Sequence, residues 1–312
     1  MIAPPELVLV GNLLVDDIVL AGGGTLLGEP GGAVLHAALA ASLWNCRTGI
    51  VSVTGSDYPQ AALDTLAARD VDLSGIRPLG KPGGRAWLLH EPSARRVIHH
   101  LDSPAHADVS PTPADIPTGW TTARGIHLAP MPLACQIELA QSLGDGPERP
   151  FISLDPFELL LDETIERWRE PLGLVDGFFA GEDDLRLSGD EQAIVQDLAG
   201  DRLRLLVLKR AAQGGSLVDL HTGQKHGWLP RVDGVVDVTG AGDAFAGGFL
   251  AGWLGVGDLA QGIAQGVVSA SFALEDWGSR GLARATPQEA RGRLADWFPE
   301  LVSAGLGQGA AR

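Results

Sequence analysis

Cysteine is almost missing from this chain. Its 312 residues hold only Cys46 and Cys135, too few for a disulfide framework and set in no metal-like cluster, so a reduced, cytoplasmic setting is expected. Basic charge is scarce too: 23 lysines and arginines face 39 aspartates and glutamates, a net charge of -16. Such a surface repels phosphate backbones and anionic lipids, so neither nucleic acid nor membrane is an expected partner. A small anion is still allowed, because a local group of backbone N–H donors outweighs net charge. Long apolar runs are absent. The most apolar window, 244–256, is short, glycine-rich and bracketed by Asp243 and Asp258, which reads as a buried helix and not a membrane span. The opening Met1-Ile2-Ala3-Pro4-Pro5 lacks the basic start and apolar core of a signal peptide. No period of about 20–50 residues marks a solenoid.

What is present is ordinary globular composition, 45% hydrophobic and 20% charged, with length enough for a sizeable core. Short apolar runs alternate with helical stretches. Residues 7–10 read as a buried strand ending at Gly11-Asn12, 32–43 as an alanine- and leucine-rich helix, and 49–53 as a strand again. Asp57 is placed to cap a helix reaching about Arg69, with Pro59 in its first turn. Further strands are expected at 125–128, 151–154, 177–180 and 205–208. This alternation predicts an α/β fold, a doubly wound and mostly parallel sheet with helices on both faces. Residues 85–90 and 95–101, parted by Glu91-Pro92-Ser93-Ala94, break the rhythm and read as a hairpin. The stretch 102–122 is a connector. One domain over 1–302 is expected, with the hairpin near 85–101 as a small β lid and a frayed tail over 303–312.

One segment carries chemistry: Asp237-Val238-Thr239-Gly240-Ala241-Gly242-Asp243. Its glycines permit a tight backbone before an apolar helix that starts near Asp243, and the free N–H groups and dipole of a helix start make an anion pocket. Asp243 reads equally as a helix-start acid and as a functional group. Two nucleotide motifs are excluded. Phe245 stands where a Gly-x-Gly-x-x-Gly fingerprint needs its third glycine, and none of the three lysines, Lys81, Lys209 and Lys225, completes a P-loop.

Asp-x-Thr-Gly-Ala-Gly-Asp ahead of an Ala/Gly/Phe helix resembles the C-terminal signature of the ribokinase-like, or PfkB, family of carbohydrate kinases. Gly11-Asn12-Leu13-Leu14-Val15-Asp16 is similar to the end of that family's first strand, and Gly31-Gly32-Ala33-Val34-Leu35-His36 to its Gly-Gly substrate motif. Residues 205–209 with Gly214-Gly215 resemble its nucleotide-binding strand and turn. The resemblance runs from about residue 7 to 290. It implies a kinase that moves the γ-phosphoryl group of ATP to a hydroxyl of a small sugar, polyol or related molecule. A nucleoside kinase, or a silent ligand-binding or regulatory protein of the same fold, are the alternatives. By resemblance, Asp243 takes the hydroxyl proton, and the N–H groups of Gly240, Ala241 and Gly242 stabilise the transferring group. Asp16, Gly31, Gly32 and His36 would hold the substrate. Lys209, Arg210, Gly214 and Gly278, with Gly240 and Gly242, would meet the nucleotide, the helix 264–274 and the Gly278 loop walling its base. Asp237 and the Thr239 carbonyl match positions for a monovalent cation, potassium.

Several positions depart from the family pattern. Its Asn-x-x-Glu magnesium motif is here Gly181-Glu182-Asp183-Asp184, leaving Asp184 or Glu182 to serve through water, or else a solvated acidic helix start. His36 replaces a common asparagine; a neutral imidazole offers one donor and one acceptor, and it reads otherwise as a core residue. Arg210-Ala211 stands where relatives often show a glycine. Only about fourteen residues separate Asp17 from Gly32, so the lid is expected to shrink to the 85–101 hairpin, with His99 and His100 exposed on it. A smaller lid weakens the case for a lid-mediated dimer and leaves monomer or homodimer open.

Overall fold

Residues 3–91, 94–144, 146 and 149–303 are described by the computed structural model. Strand β1 (Leu7–Val10) is buried along its whole length, as its unbroken apolar run requires. It is followed by β2 (Leu14–Val19), β3 (Thr25–Gly31) and α1 (Ala33–Ser42), which opens directly after Gly31-Gly32. Next come β4 (Thr48–Thr54), α2 (Gln60–Ala67), β5 (Asp72–Pro78), β6 (Arg85–Glu91) and β7 (Ala94–His99). The connector holds three short 3-10 turns and leads to β8 (Gly125–Leu128), α3 (Leu133–Ser142), β9 (Phe151–Leu154) and β10 (Leu160–Leu161). Then follow α4 (Arg169–Leu174), β11 (Gly177–Gly181), β12 (Leu185–Arg186), α5 (Glu191–Ala199) and β13 (Leu205–Lys209). The chain turns back through β14 (Gly215–Asp219) and β15 (Lys225–Trp228). It closes with α6 (Ala241–Val256), α7 (Leu259–Leu274), α8 (Arg280–Arg284), α9 (Pro287–Trp297) and α10 (Pro299–Ser303).

Nine strands form the main sheet in the order β15-β14-β13-β11-β9-β8-β1-β4-β5. The run from β13 to β5 is parallel throughout, with β14 and β15 antiparallel at one edge. Successive side chains of β1 feed opposite faces: Leu7 and Leu9 join the layer under α1, α6 and α7, while Val8 and Val10 join the layer under α3, α4 and α5. Helix α6 meets its neighbours backbone to backbone. A methyl at Gly247 would overlap the Ala37 carbonyl of α1, and one at Gly248 the Ser269 side chain of α7. Strand order reverses at β1, which places a ligand crevice beyond the carboxyl ends of the strands there.

The lid is larger than the sequence predicts. It is a four-stranded sheet, β3-β2-β6-β7, because the short segment after Asp17 folds into β2 and β3 instead of a loop. Asp17 explains why. Its carboxylate accepts from the Gly28 N–H of β3 at 2.8 Å and from Arg85 of β6 twice at 2.8 Å, and lies 3.0 Å from His100 Nε2. Burial alone would raise this carboxyl, but Arg85, Gly28 and His100 outweigh it and hold Asp17 below the usual range. His99 and His100 are half-buried, not exposed; His100 stacks on Trp87 with centroids 5.1 Å apart.

Two smaller expectations also change. Asp57 does not cap α2, whose cap position is Pro59; the Asp57 carboxylate accepts instead from Gly83 N–H at 2.7 Å, just before β6. Ser303 ends α10, and the rest of the expected tail, like the hairpin turn at Pro92-Ser93, lies outside the described residues. Cys46 and Cys135 are unbridged, and no helix among the described residues is long and apolar enough to cross a membrane.

Candidate active site

Helix α6 begins two residues before Asp243, with Gly240 as its cap residue at φ 71°. That left-handed conformation favours glycine, and a methyl there would also overlap the His36 ring of α1. The first intrahelical bond is Ala244 N–H to Gly240 O at 2.8 Å, while Ala241 N–H makes a long 3.3 Å bond back to Val238 O. The N–H groups of Gly242 and Asp243 stand at the helix mouth, where an anion is stabilised by donors and dipole together. Asp243 is half-buried in this first turn.

Lys209 comes up from the end of β13. Its ammonium pairs with Asp155, which follows β9, and a Cβ on Gly242 would sit 3.4 Å from its Nζ. Burial works against the charge on Lys209, but Asp155, Asp243 and Asp184 together raise its pKa above the ordinary value. Burial pushes the Asp155 carboxyl up to about 7; Lys209 opposes this, while Asp243 and Asp184 add to it. Three carboxylates and one ammonium therefore gather beneath the anion pocket, a net negative cluster. Among the described residues no three His, Cys, Asp or Glu side chains form a metal cage. Magnesium needs none, since it retains waters and takes one or two carboxylates plus phosphates, and Asp184, which acts on the Lys209 charge together with Asp155 and Asp243, is such a carboxylate.

The substrate candidates converge from the other side. Asp16 is buried in β2 with its carboxylate pressed against Gly31, where a methyl would overlap it. Gly32, at φ 97°, lies against the Asn12 carbonyl. His36 spans the gap between the two glycine motifs: Nδ1 lies 3.2 Å from Gly32 O, its ring touches Gly240, and its buried Nε2 has no hydrogen-bond partner among the described residues. An orphaned ring nitrogen there is placed for a ligand hydroxyl.

Other candidates stand apart from this centre. Arg210 pairs with Glu191 at the start of α5, and Glu182 is exposed while Asp184 accepts from Gly181 N–H at 2.6 Å. Gly214 serves the β13–β14 turn, where a methyl would overlap the Trp228 carbonyl. In that same turn Ala211 holds φ 43°, a left-handed conformation costly for a residue with a Cβ. Replacing Ala211 by glycine is expected to stabilise the protein by about 0.5–1 kcal/mol, read as a higher urea midpoint at unchanged slope. Gly278 is buried and its N–H donates to Asp237 Oδ2 at 2.8 Å; Asp237 Oδ1 accepts from Thr239 N–H at 3.0 Å and from the Thr239 hydroxyl at 2.8 Å.

Three groups escaped the sequence reading. Asp155 had one signal, a strand-end lysine in a lysine-poor chain that needs a partner. His90 reaches from the lid to within 3.1 Å of Thr239 Oγ. The third is a ring cluster: His106 lies 4.8 Å from His99 and 4.6 Å from Phe157 between centroids, with His106 Nε2 3.2 Å from Asn12 Oδ1. No local spacing announces either His90 or the ring cluster.

Comparison with known proteins fits this architecture. The profile of the pfkB family carbohydrate kinases matches residues 19–285. A cytidine kinase of Thermococcus kodakarensis is 29% identical over 284 residues, covering 88% of this chain and 97% of that protein. A nucleoside kinase of Methanothermobacter thermautotrophicus is 26% identical over 278 residues, covering 86% and 85%. The crystal structure of a putative ribokinase II from E. coli, in complex with ATP and magnesium, superposes with a TM-score of 0.73 at 19% identity, covering 94% of this chain and 99% of that one. With that profile matched over most of its length, this chain belongs to the pfkB family of carbohydrate kinases and is a phosphotransferase with a hydroxyl acceptor.

Proposed function

We propose that the protein phosphorylates a hydroxyl of a nucleoside, with ATP as donor and magnesium as the accompanying ion. The observation that carries the substrate class is the ring cluster of His99, His106 and Phe157 beside Asn12, one step from Gly32. Flat faces suit a nucleobase, whereas a simple sugar offers nothing planar to cover them. The cytidine and nucleoside kinases among the relatives support this reading, and fructokinases of 26% identity stand among the relatives as well. Burial, helped by His99, pushes His106 down to about 4, so it meets a base as a neutral ring.

In this reading Asp16 and His36 orient the sugar hydroxyls. Asp243 accepts the proton of the attacking hydroxyl as the phosphoryl group arrives, and the donors at the mouth of α6 take up its charge. Lys209, kept charged by its three carboxylates, adds a fixed positive group beneath the phosphates. Asp184 would hold magnesium through water, where the ion would neutralise phosphate charge.

ATP consumption across ribonucleosides, free pentoses, hexoses and polyols tests the proposal. Turnover on nucleosides is expected, with Phe157→Ala raising the nucleoside KM about fivefold or more. Equal turnover on free sugars, untouched by Phe157→Ala, would replace the nucleoside reading with a sugar kinase.

A further inference from the structure

We infer that His90 of the lid occupies the place a monovalent cation would take beside Asp237, and that it positions the loop leading into the anion pocket. The inference rests on the kinase reading of this site. Asp237 is fully buried, and both its oxygens are engaged by the chain: Oδ1 by the N–H and hydroxyl of Thr239, Oδ2 by Gly278 N–H. An imidazole from the lid stands against this carboxylate. His90 Nε2 lies 3.1 Å from Thr239 Oγ and 3.5 Å from Asp237 Oδ1, with only 10% of its side chain exposed.

The hydrogen-bond order follows from the donors available. The Thr239 hydroxyl gives its proton to Asp237, so its oxygen accepts from His90 Nε2–H, a chain that a neutral imidazole completes. Three donors thus reach the buried carboxylate directly, and His90 adds to them through the Thr239 hydroxyl, which is how such a charge is compensated inside a protein. A cation at the same spot would have to displace an N–H that points inward. The donor set does not fit potassium, and the sequence expectation at Asp237 and Thr239 is set aside.

The consequence is a positioning role. Strand β6 of the lid is bonded to the residue just before Gly240, and Asp237 passes the connection to Gly278. In the full-length protein, kcat, KM for ATP, ATP affinity by calorimetry and thermal midpoint are compared in potassium, sodium and choline chloride at one ionic strength. The wild type is expected to vary by less than about twofold among the salts. His90→Ala is expected to lose ATP affinity about tenfold in choline and to regain much of it in potassium. His90→Gln, which keeps an N–H donor, should stay indifferent to the salt. Activation of the wild type tenfold or more by potassium overturns the inference, and so does a His90→Ala protein impaired equally in every salt. ATP affinity and thermal midpoint need no acceptor, so an error in the substrate class leaves this test intact. Should His90→Ala fail to fold, the wild type and His90→Gln still decide it.

Discussion

Asp243→Asn is expected to lower kcat by ~10²–10⁴-fold, the range of a single general base, and to change ATP affinity little. The exchange keeps volume and removes only the capacity to take a proton. Structural cost is small, because Asp243 makes no capping bond to α6; the cap is Gly240, and its conformation does not depend on a carboxylate. Lys209 keeps Asp155 and Asp184 as partners. Steady-state kinetics on the best nucleoside, with calorimetric ATP affinity and thermal midpoint as controls, gives the answer. An Asp243→Asn protein within tenfold of wild-type kcat would remove Asp243 from the proton transfer.

A different residue is expected to draw stability from the fold in acid. His127 lies in the middle of β8, 1% exposed, with Nδ1 2.9 Å from Ser153 Oγ and its ring edge-on to Phe179. Burial, and then the Lys209 charge, push it down to about 3. The folded protein keeps it neutral, whereas the unfolded chain protonates it near pH 6.5. Below that value the unfolded state binds more protons, so stability falls as pH falls, by up to about 1.4 kcal/mol per unit. Between pH 6.5 and 4.5 this amounts to about 2 kcal/mol, a sizeable part of a typical stability of roughly 5–15 kcal/mol. Asp155 acts in the opposite sense over the same window, because its raised carboxyl holds a proton in the folded state that the unfolded chain releases. A difference measurement separates the two. Urea unfolding of the wild type and His127→Asn at pH 6.5 and 4.5 should show the wild type losing about 2 kcal/mol more on acidification. Equal losses would mean that His127 titrates in the native protein.

The parts of this protein that can be read along the chain are those where backbone geometry dictates residue identity. Strands such as Gly125–Leu128 and Phe151–Leu154 are legible because a parallel strand covered on both faces must be apolar throughout. Gly31-Gly32 and Gly240 are legible because a side chain would meet Asp16, Asn12 or His36. Thr25–Gly31 is not. With Gly28 and Pro30 inside it and its first residues mostly exposed, it looks like a loop, and its antiparallel pairing with β2, braced by the Asp17 carboxylate at Gly28 N–H, makes it a strand. Asp155 with Lys209, and His90 with Thr239, are partners far apart in sequence, and no local pattern records such pairings. Arg210 and Glu182 show the converse: their charge suggests a role at the phosphates, but where each side chain turns is settled by Glu191 and by solvent.

The backbone contacts of α6 bear on how this enzyme can diverge. With no side chain at Gly247 or Gly248, the helix is seated directly on α1 and α7, and any residue with a Cβ at either position would have to shift it and the donors at its mouth. A library aimed at a new acceptor should therefore leave 240–256 untouched. Variation belongs in the lid strands β2, β3, β6 and β7 away from Asp17 and His90, and in the connector that carries His106, where a changed side chain is expected to alter what is recognised more than how the phosphoryl group is moved.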